Sequence, residues 1–270
     1  MALQFFAPHW GNTLPFETFC ANVREVGYDG IEMEAPIGTH QKAEFRRVLR
    51  ENSLLFIGQY YQSFESNFTE HLRNYEYYLH NLIEENPVLI NCQTGKDYFT
   101  FDQNCRLFAC ATRISAESGV KIIHETHRGK SLFSAHGTQQ YLSHLPDLRI
   151  CLDISHWCNV HESLLTDQSE ALALAFSRTD HIHSRVGHPQ GPQVNDPRAP
   201  EWSEALHTHL KWWDQVAEIH LQNATLLTIT TEFGPAPYMP QSPYTQQPLA
   251  NQWDINVFMM NLLKVRHGCL

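Results

Sequence analysis

Four segments of the chain each carry one side chain able to hold a cation: Glu125 in KIIHETHRG, Asp153 in RICLDISHW, His183 in DHIHSRVGH and Glu232 in TITTEFGP. Each stands at the end of a short apolar run. Acidic groups there are costly to bury unless they are paired, hydrogen-bonded or bound to a cation. Three carboxylates brought together would repel one another and raise their own pKa values, and a divalent ion removes that penalty. Three carboxylates and one imidazole form a mostly hard-oxygen set. It suits one Mn²⁺, Co²⁺ or Mg²⁺ ion, with Zn²⁺ or Fe²⁺ also compatible. Singly, each residue has a plainer use. Glu125 could pair with Arg128, Asp153 could cap the next turn, His183 could be a satisfied core histidine, and Glu232 could pair with a nearby cation. Together, at the same end of four successive strands, the plainer uses require four coincidences. A metal site is the expectation.

The elements that must position these groups are legible as eight apolar runs: Leu3–Ala7, Gly30–Glu34, Leu54–Tyr61, Val88–Gln93, Val120–His127, Leu148–Ser155, His181–Gly187 and Leu226–Phe233. Most are near-continuous rather than alternating, as in parallel strands covered on both faces. Helical stretches lie between and after them: Phe16–Val26, Gln41–Glu51, Thr69–Glu85, Gln103–Ser118, Ser134–Leu145, Thr166–Arg178, Ser203–Leu221 and Gln252–His267. Pro15 opens the first and Gly27 closes it. Eight strand–helix alternations predict an α/β fold, a single (β/α)₈ TIM barrel over residues 1–270, with an open doubly wound sheet as the competing topology. Glu125, Asp153 and His183 are each about one βα unit apart, roughly 30 residues. Neighbouring parallel strands stand about 4.8 Å apart, so groups at one level on successive strands can converge above a barrel. Two long connections, Gly187–Glu201 and Gly234–Ala250, follow strands and are expected to be lids on the C-terminal face.

Composition narrows the function class. The chain has 29 acidic and 19 basic residues, a net charge of −10, and no block of Lys or Arg. A nucleic-acid surface would need a basic stripe. No run approaches the roughly 18 apolar residues of a membrane span, and the first residues do not read as a signal peptide. The seven cysteines form no CxxC pair, so neither a disulfide framework nor a thiolate zinc site is expected, and a reducing, cytoplasmic location is. The N-x-T triplets at Asn67 and Asn223 read as chance. Trp212-Trp213 and Met259-Met260 read as outer-layer packing.

The segments HETHRG, LDISHW, HIHSRVG and EFGP, with GYDGIEM at Gly27–Met33 and INCQTGKDYF at Ile90–Phe99, resemble the xylose isomerase-like TIM barrel superfamily, often labelled sugar phosphate isomerases/epimerases. The resemblance implies that Glu125, Asp153, His183 and Glu232 bind one divalent metal and that the two glutamates double as acid and base. It implies that His156 and Arg185 meet substrate oxygens. Endonuclease-type members hold three zinc ions on further histidines. Here Gln59, Asn91 and Gln93 stand on the early strands and Arg198 stands where a second loop histidine would be, so that site is incomplete.

The expected reaction is isomerisation or epimerisation of a small sugar-like substrate through an enediolate. Glu125 or Glu232 would take a proton beside a carbonyl and the other would return one. His156 and Arg185 would hydrogen-bond the developing oxyanion. His9, Trp10, Gln59, Gln93, His127 and Arg128 sit at or just past strand ends and are candidate substrate contacts, weighed equally against supporting roles; Lys96 and Asp97 share that position. No Gly-rich cradle suggests a phosphate. The same site on an inosose- or dehydroshikimate-type substrate would be a dehydratase. A catalytically silent sugar-binding barrel is the reading from another class. A homo-oligomer is compatible with everything above.

Overall fold

The computed structural model describes residues 2–269. Eight parallel strands close on themselves in chain order, with β1 paired to both β2 and β8. They are β1 (Ala2–Pro8), β2 (Gly30–Met33), β3 (Leu55–Tyr60), β4 (Ile90–Cys92), β5 (Ile122–Glu125), β6 (Ile150–Leu152), β7 (Thr179–His183) and β8 (Leu226–Thr230). Closure excludes the open sheet. The helices are α1 (Phe16–Glu25), α2 (Thr39–Glu51), α3 (Phe68–Ile83), α4 (Phe101–Ser118), α5 (Ala135–His144), α6 (Ile154–Val160), α7 (Ser169–Arg178), α8 (Ser203–Gln222) and α9 (Gln252–Arg266).

Local chemistry sets the helix ends. Thr100 and Gln103 form a reciprocal capping box on α4, and Gly119, at φ 74°, closes it. Asn67 caps α3 through bonds from the Thr69 and Glu70 amides, which gives one N-x-T triplet a structural use. Most strands are shorter than the apolar runs that predicted them, and two depart in an informative way. The sixth run turns helical at Ile154, because Asp153 accepts a hydrogen bond from the Ser155 amide at 3.2 Å and starts α6. The seventh strand begins two residues earlier, at Thr179, and ends at His183. All seven cysteines are free thiols, and among the described residues no helix is long and apolar enough to cross a membrane. Trp212, Trp213, Met259 and Met260 are buried in the layer between barrel and helices.

Side chains of a strand alternate between its two faces. One parity faces the helices and forms the large outer core. The other faces the barrel axis, where Phe6, Ile57, Leu89, Ile123 and Cys151 make a small apolar plug. Two residues beyond four of these five, the same face turns polar. Gln59 follows Ile57, Asn91 follows Leu89, Glu125 follows Ile123 and Asp153 follows Cys151. The plug thus forms a floor, and the polar layer above it faces the C-terminal mouth.

At the opposite end of the barrel, β7 carries Asp180, 8% exposed, which accepts bonds from Lys121 Nζ at 2.9 Å and Arg149 at 2.5 Å. Burial alone would raise its carboxyl, but Arg149 and Lys121 outweigh it and hold it below the ordinary range. Because the folded pKa is depressed, the pairing stabilises the fold fully above the unfolded value of about 3.9 and is lost as pH falls through the folded one. Both cations are partly solvated, so Asp180→Asn is expected to lose about 1–2 kcal/mol near neutral pH. Urea melts at neutral pH and near pH 3 would check this. A loss that does not shrink in acid would remove the ion pairs from the account.

Candidate metal centre

Glu125, Asp153, His183 and Glu232 converge on the axis: each offers a ligand atom, all within 4.8 Å of one another, and all four residues are buried. Their placement follows from strand parity and from local braces. Glu125 ends β5. Asp153 is gripped by Thr126, whose hydroxyl donates to the Asp153 carbonyl at 2.9 Å and accepts from its amide at 2.8 Å. Glu232 lies two residues past β8, where Asn256 of α9 clamps the next residue. It accepts from the Phe233 amide at 2.9 Å and donates to the Phe233 carbonyl at 3.0 Å.

The electrostatics are those of crowded acids. Burial, reinforced by Glu232, Asp153 and Glu32, pushes the Glu125 carboxyl up to about 8. Burial also raises Asp153. For Glu232 burial acts upward too, but His183 and Arg185 together hold it below the ordinary range. Arg185, 1% exposed, pairs with Asp153 through Nη2, lies 3.4 Å from Glu232 Oε2, and donates to Ser155 Oγ at 3.2 Å. The Nδ1 atom of His183 is buried without a hydrogen-bond partner, 2.9 Å from Glu232 Oε2 and 3.8 Å from Glu125 Oε1. An orphaned imidazole nitrogen among three buried carboxylates fits a divalent cation, which would complete the valence of every atom in the group. Neutral amides support the acids: Gln59 donates to Glu232 at 3.1 Å, and Asn91 and Gln93 donate to Glu125 at 3.1 and 3.4 Å.

Above the cluster opens a cavity of about 460 Å³, whose lining includes His9, Trp10, Gln59, Gln93, His127 and Arg185. Trp10 packs so closely on Gly234 that a Cβ there would come within 2.1 Å of the indole, so only glycine lets the two loops meet. Arg128 is half-buried, donates to Asn159 at 3.2 Å and lies 4.9 Å over the Tyr238 ring. It does not pair with Glu125. His156 is 0% exposed; its Nε2 accepts from Arg185 at 2.8 Å and its ring lies 3.8 Å from that of His127. In this structure His156 therefore acts on Arg185 and His127 rather than facing solvent.

Three groups escaped the sequence reading. Tyr238, from the second long loop, reaches the cavity wall, lies with its ring 4.8 Å from the Arg185 guanidinium and meets Trp10 edge-on at 4.9 Å. Nothing in that Pro-rich loop distinguishes it. Gln193 of the first loop ties the second down through paired bonds to Gly234, at 2.8 and 3.1 Å. Glu32 of β2 lies below the cluster, 3.0 Å from His183 Nε2. Its signal was an acid inside an apolar strand, the same signal that exposed Glu125.

No protein-family profile and no curated protein sequence matches the chain. Solved structures share its architecture. The probable 3-DHS dehydratase AsbF of Bacillus anthracis is similar over 98% of this chain and 99% of that one, at 14% identity and a TM-score of 0.62. The 3-keto-D-glucoside 4-epimerase of E. coli is similar over 97% and 99%, at 14% identity and a TM-score of 0.62. A xylose isomerase-like TIM barrel protein of Mycobacterium smegmatis, solved in complex with magnesium, is similar over 86% and 91%, at 12% identity and a TM-score of 0.57. At these identities the likeness establishes the fold. The chain shares the (β/α)₈ barrel architecture of these proteins.

Proposed function

We propose that this chain is a divalent-metal-dependent isomerase or epimerase of a small sugar or sugar-like substrate. The observation that carries this reading is the convergence of Glu125, Asp153, His183 and Glu232 on one buried point beneath a cavity. The cavity is of monosaccharide scale, within the roughly 300–1,000 Å³ of small-molecule sites. The fold shared with an epimerase and with a magnesium complex supports it. When bound, a divalent ion would polarise a carbonyl and an adjacent hydroxyl oxygen.

The chain's own residues do the rest. Glu232 is aimed by Gln59 and Arg185, and Glu125 by Asn91 and Gln93. One takes the proton from the carbon next to the carbonyl, and the other returns a proton to the opposite face or to the adjacent carbon. Arg185 stands beside both Asp153 and Glu232, where its charge offsets negative charge developing on the substrate oxygen. Trp10 and Tyr238 give the sugar ring a flat apolar wall and help to exclude water. His9 and His127 supply polar contacts on the same wall.

The test is metal analysis of the purified protein, followed by proton NMR with ketoses and cyclic ketones in D₂O containing Mn²⁺ or Co²⁺. Deuterium entering the carbon beside the carbonyl, without loss of water, is the expected result. Loss of water would instead assign a dehydratase. A protein that neither binds a divalent ion nor exchanges any proton would overturn the reading.

A further inference from the structure

Beneath the four metal-competent residues, Glu32 is 2% exposed and every group within hydrogen-bond reach of it is able to donate. Its two oxygens meet His183 Nε2 at 3.0 and 3.1 Å, His181 Nε2 at 3.1 Å, Asn91 Nδ2 at 3.0 Å and the Thr230 hydroxyl. A carboxylate offers about four lone-pair positions, so the group is saturated, and its ionised, acceptor-only form is the one that fits. His181 is satisfied from both sides, since its Nδ1 lies 2.7 Å from Thr228 Oγ1. His183 is not: with Nε2 on Glu32, its other nitrogen is the orphaned Nδ1 that faces Glu125 and Glu232.

We propose that Glu32 is the positioning residue for His183: by holding a proton on Nε2, it dedicates Nδ1 to the cation. An imidazole binds metal through a nitrogen without a proton, and the bond made by the other nitrogen selects which one that is. Asn91 extends the same control to a second ligand: its two amide hydrogens go to Glu32 at 3.0 Å and to Glu125 Oε2 at 3.1 Å, which leaves none for His183 Nε2 at 3.2 Å. One carboxylate on β2 thus orients groups on β5 and β7. This inference rests on the metal-centre reading above, and goes beyond it in assigning a residue that touches neither substrate nor ion.

Glu32→Gln is the test, because its amide group would point N–H bonds at groups that are themselves donors. Co²⁺ affinity, read from the visible absorption of the bound ion, is expected to fall roughly 10–100-fold. In NMR of wild-type protein the His183 Nε2 proton is expected downfield and slow to exchange, and to be lost or shifted in the variant. A folded Glu32→Gln protein that keeps both the wild-type affinity and that proton signal overturns the proposal. Should glutamine prevent folding, Glu32→Asp takes its place. The withdrawn carboxylate is expected to shift the proton and weaken Co²⁺ binding, and no change in either measurement again overturns the proposal. Wild-type protein that takes up no Co²⁺ would overturn the metal reading and with it the role of Nδ1 toward a cation, whereas the Nε2 proton measurement, which does not need the ion, tests the Glu32–His183 bond separately.

Discussion

Glu232→Gln is expected to lower kcat by about 10²–10⁴-fold, the range a positioned acid–base group supplies, while leaving the fold intact. The amide keeps the size of the side chain and its bond from Gln59 at 3.1 Å, but it cannot accept a proton from carbon. It also removes one of three carboxylates whose ligand atoms lie within 4.8 Å of one another. The metal-free variant should melt lower than wild type, because His183 and Arg185 outweigh the repulsion from its neighbours and stabilise the carboxylate that is lost. Steady-state kinetics at saturating Mn²⁺ separate lost chemistry from weakened metal binding. Near-wild-type kcat under those conditions would take Glu232 out of the mechanism and leave it a ligand only.

Arg185→Met should have the largest effect on stability. Arg185 is fully enclosed, ion-paired with Asp153, and stacked 4.8 Å from the Tyr238 ring. Methionine preserves much of the apolar stem but strands the Asp153 charge in a buried site. Breaking a buried pair from one side costs about 3–5 kcal/mol. Urea melts of the metal-free proteins should show a loss of that order. Added divalent ion should return part of it, since a ligand that binds only the folded state stabilises by about 2.7 kcal/mol at a hundredfold excess over Kd. The cation and the guanidinium thus offset the same crowded charge from different sides. A loss below about 1 kcal/mol in the metal-free protein would mean that Asp153 does not depend on Arg185 for its charge.

The divided legibility of the site has a physical origin. Glu125, Asp153, His183 and Glu232 stood out because each interrupts or ends an apolar strand, where an unpartnered charge is expensive. Glu32 carries the same mark within GIEM, yet a single acid does not say whether it binds an ion or steadies a neighbour. Only the distance of 3.0 Å to His183 Nε2 separates those roles. His156 illustrates the converse. The resemblance to the xylose isomerase-like barrels implied a substrate contact for it, and the fold packs its ring against Arg185 and His127.

By itself the sequence determined the number and order of the strands, the helices between them, and the end of the sheet where the acids gather. Those follow from hydrophobic period and from punctuation by Gly, Pro and capping residues, which act over a few residues of chain. Tertiary structure decided that the sheet closes, that Arg185 spends its charge on Asp153 and Glu232, and that Tyr238 crosses from a distant loop to the cavity wall. These depend on contacts between residues far apart in the chain, such as Glu32 with His183 and Gln193 with Gly234. No local periodicity encodes those contacts, because they exist only once the barrel has brought its strands around a common axis.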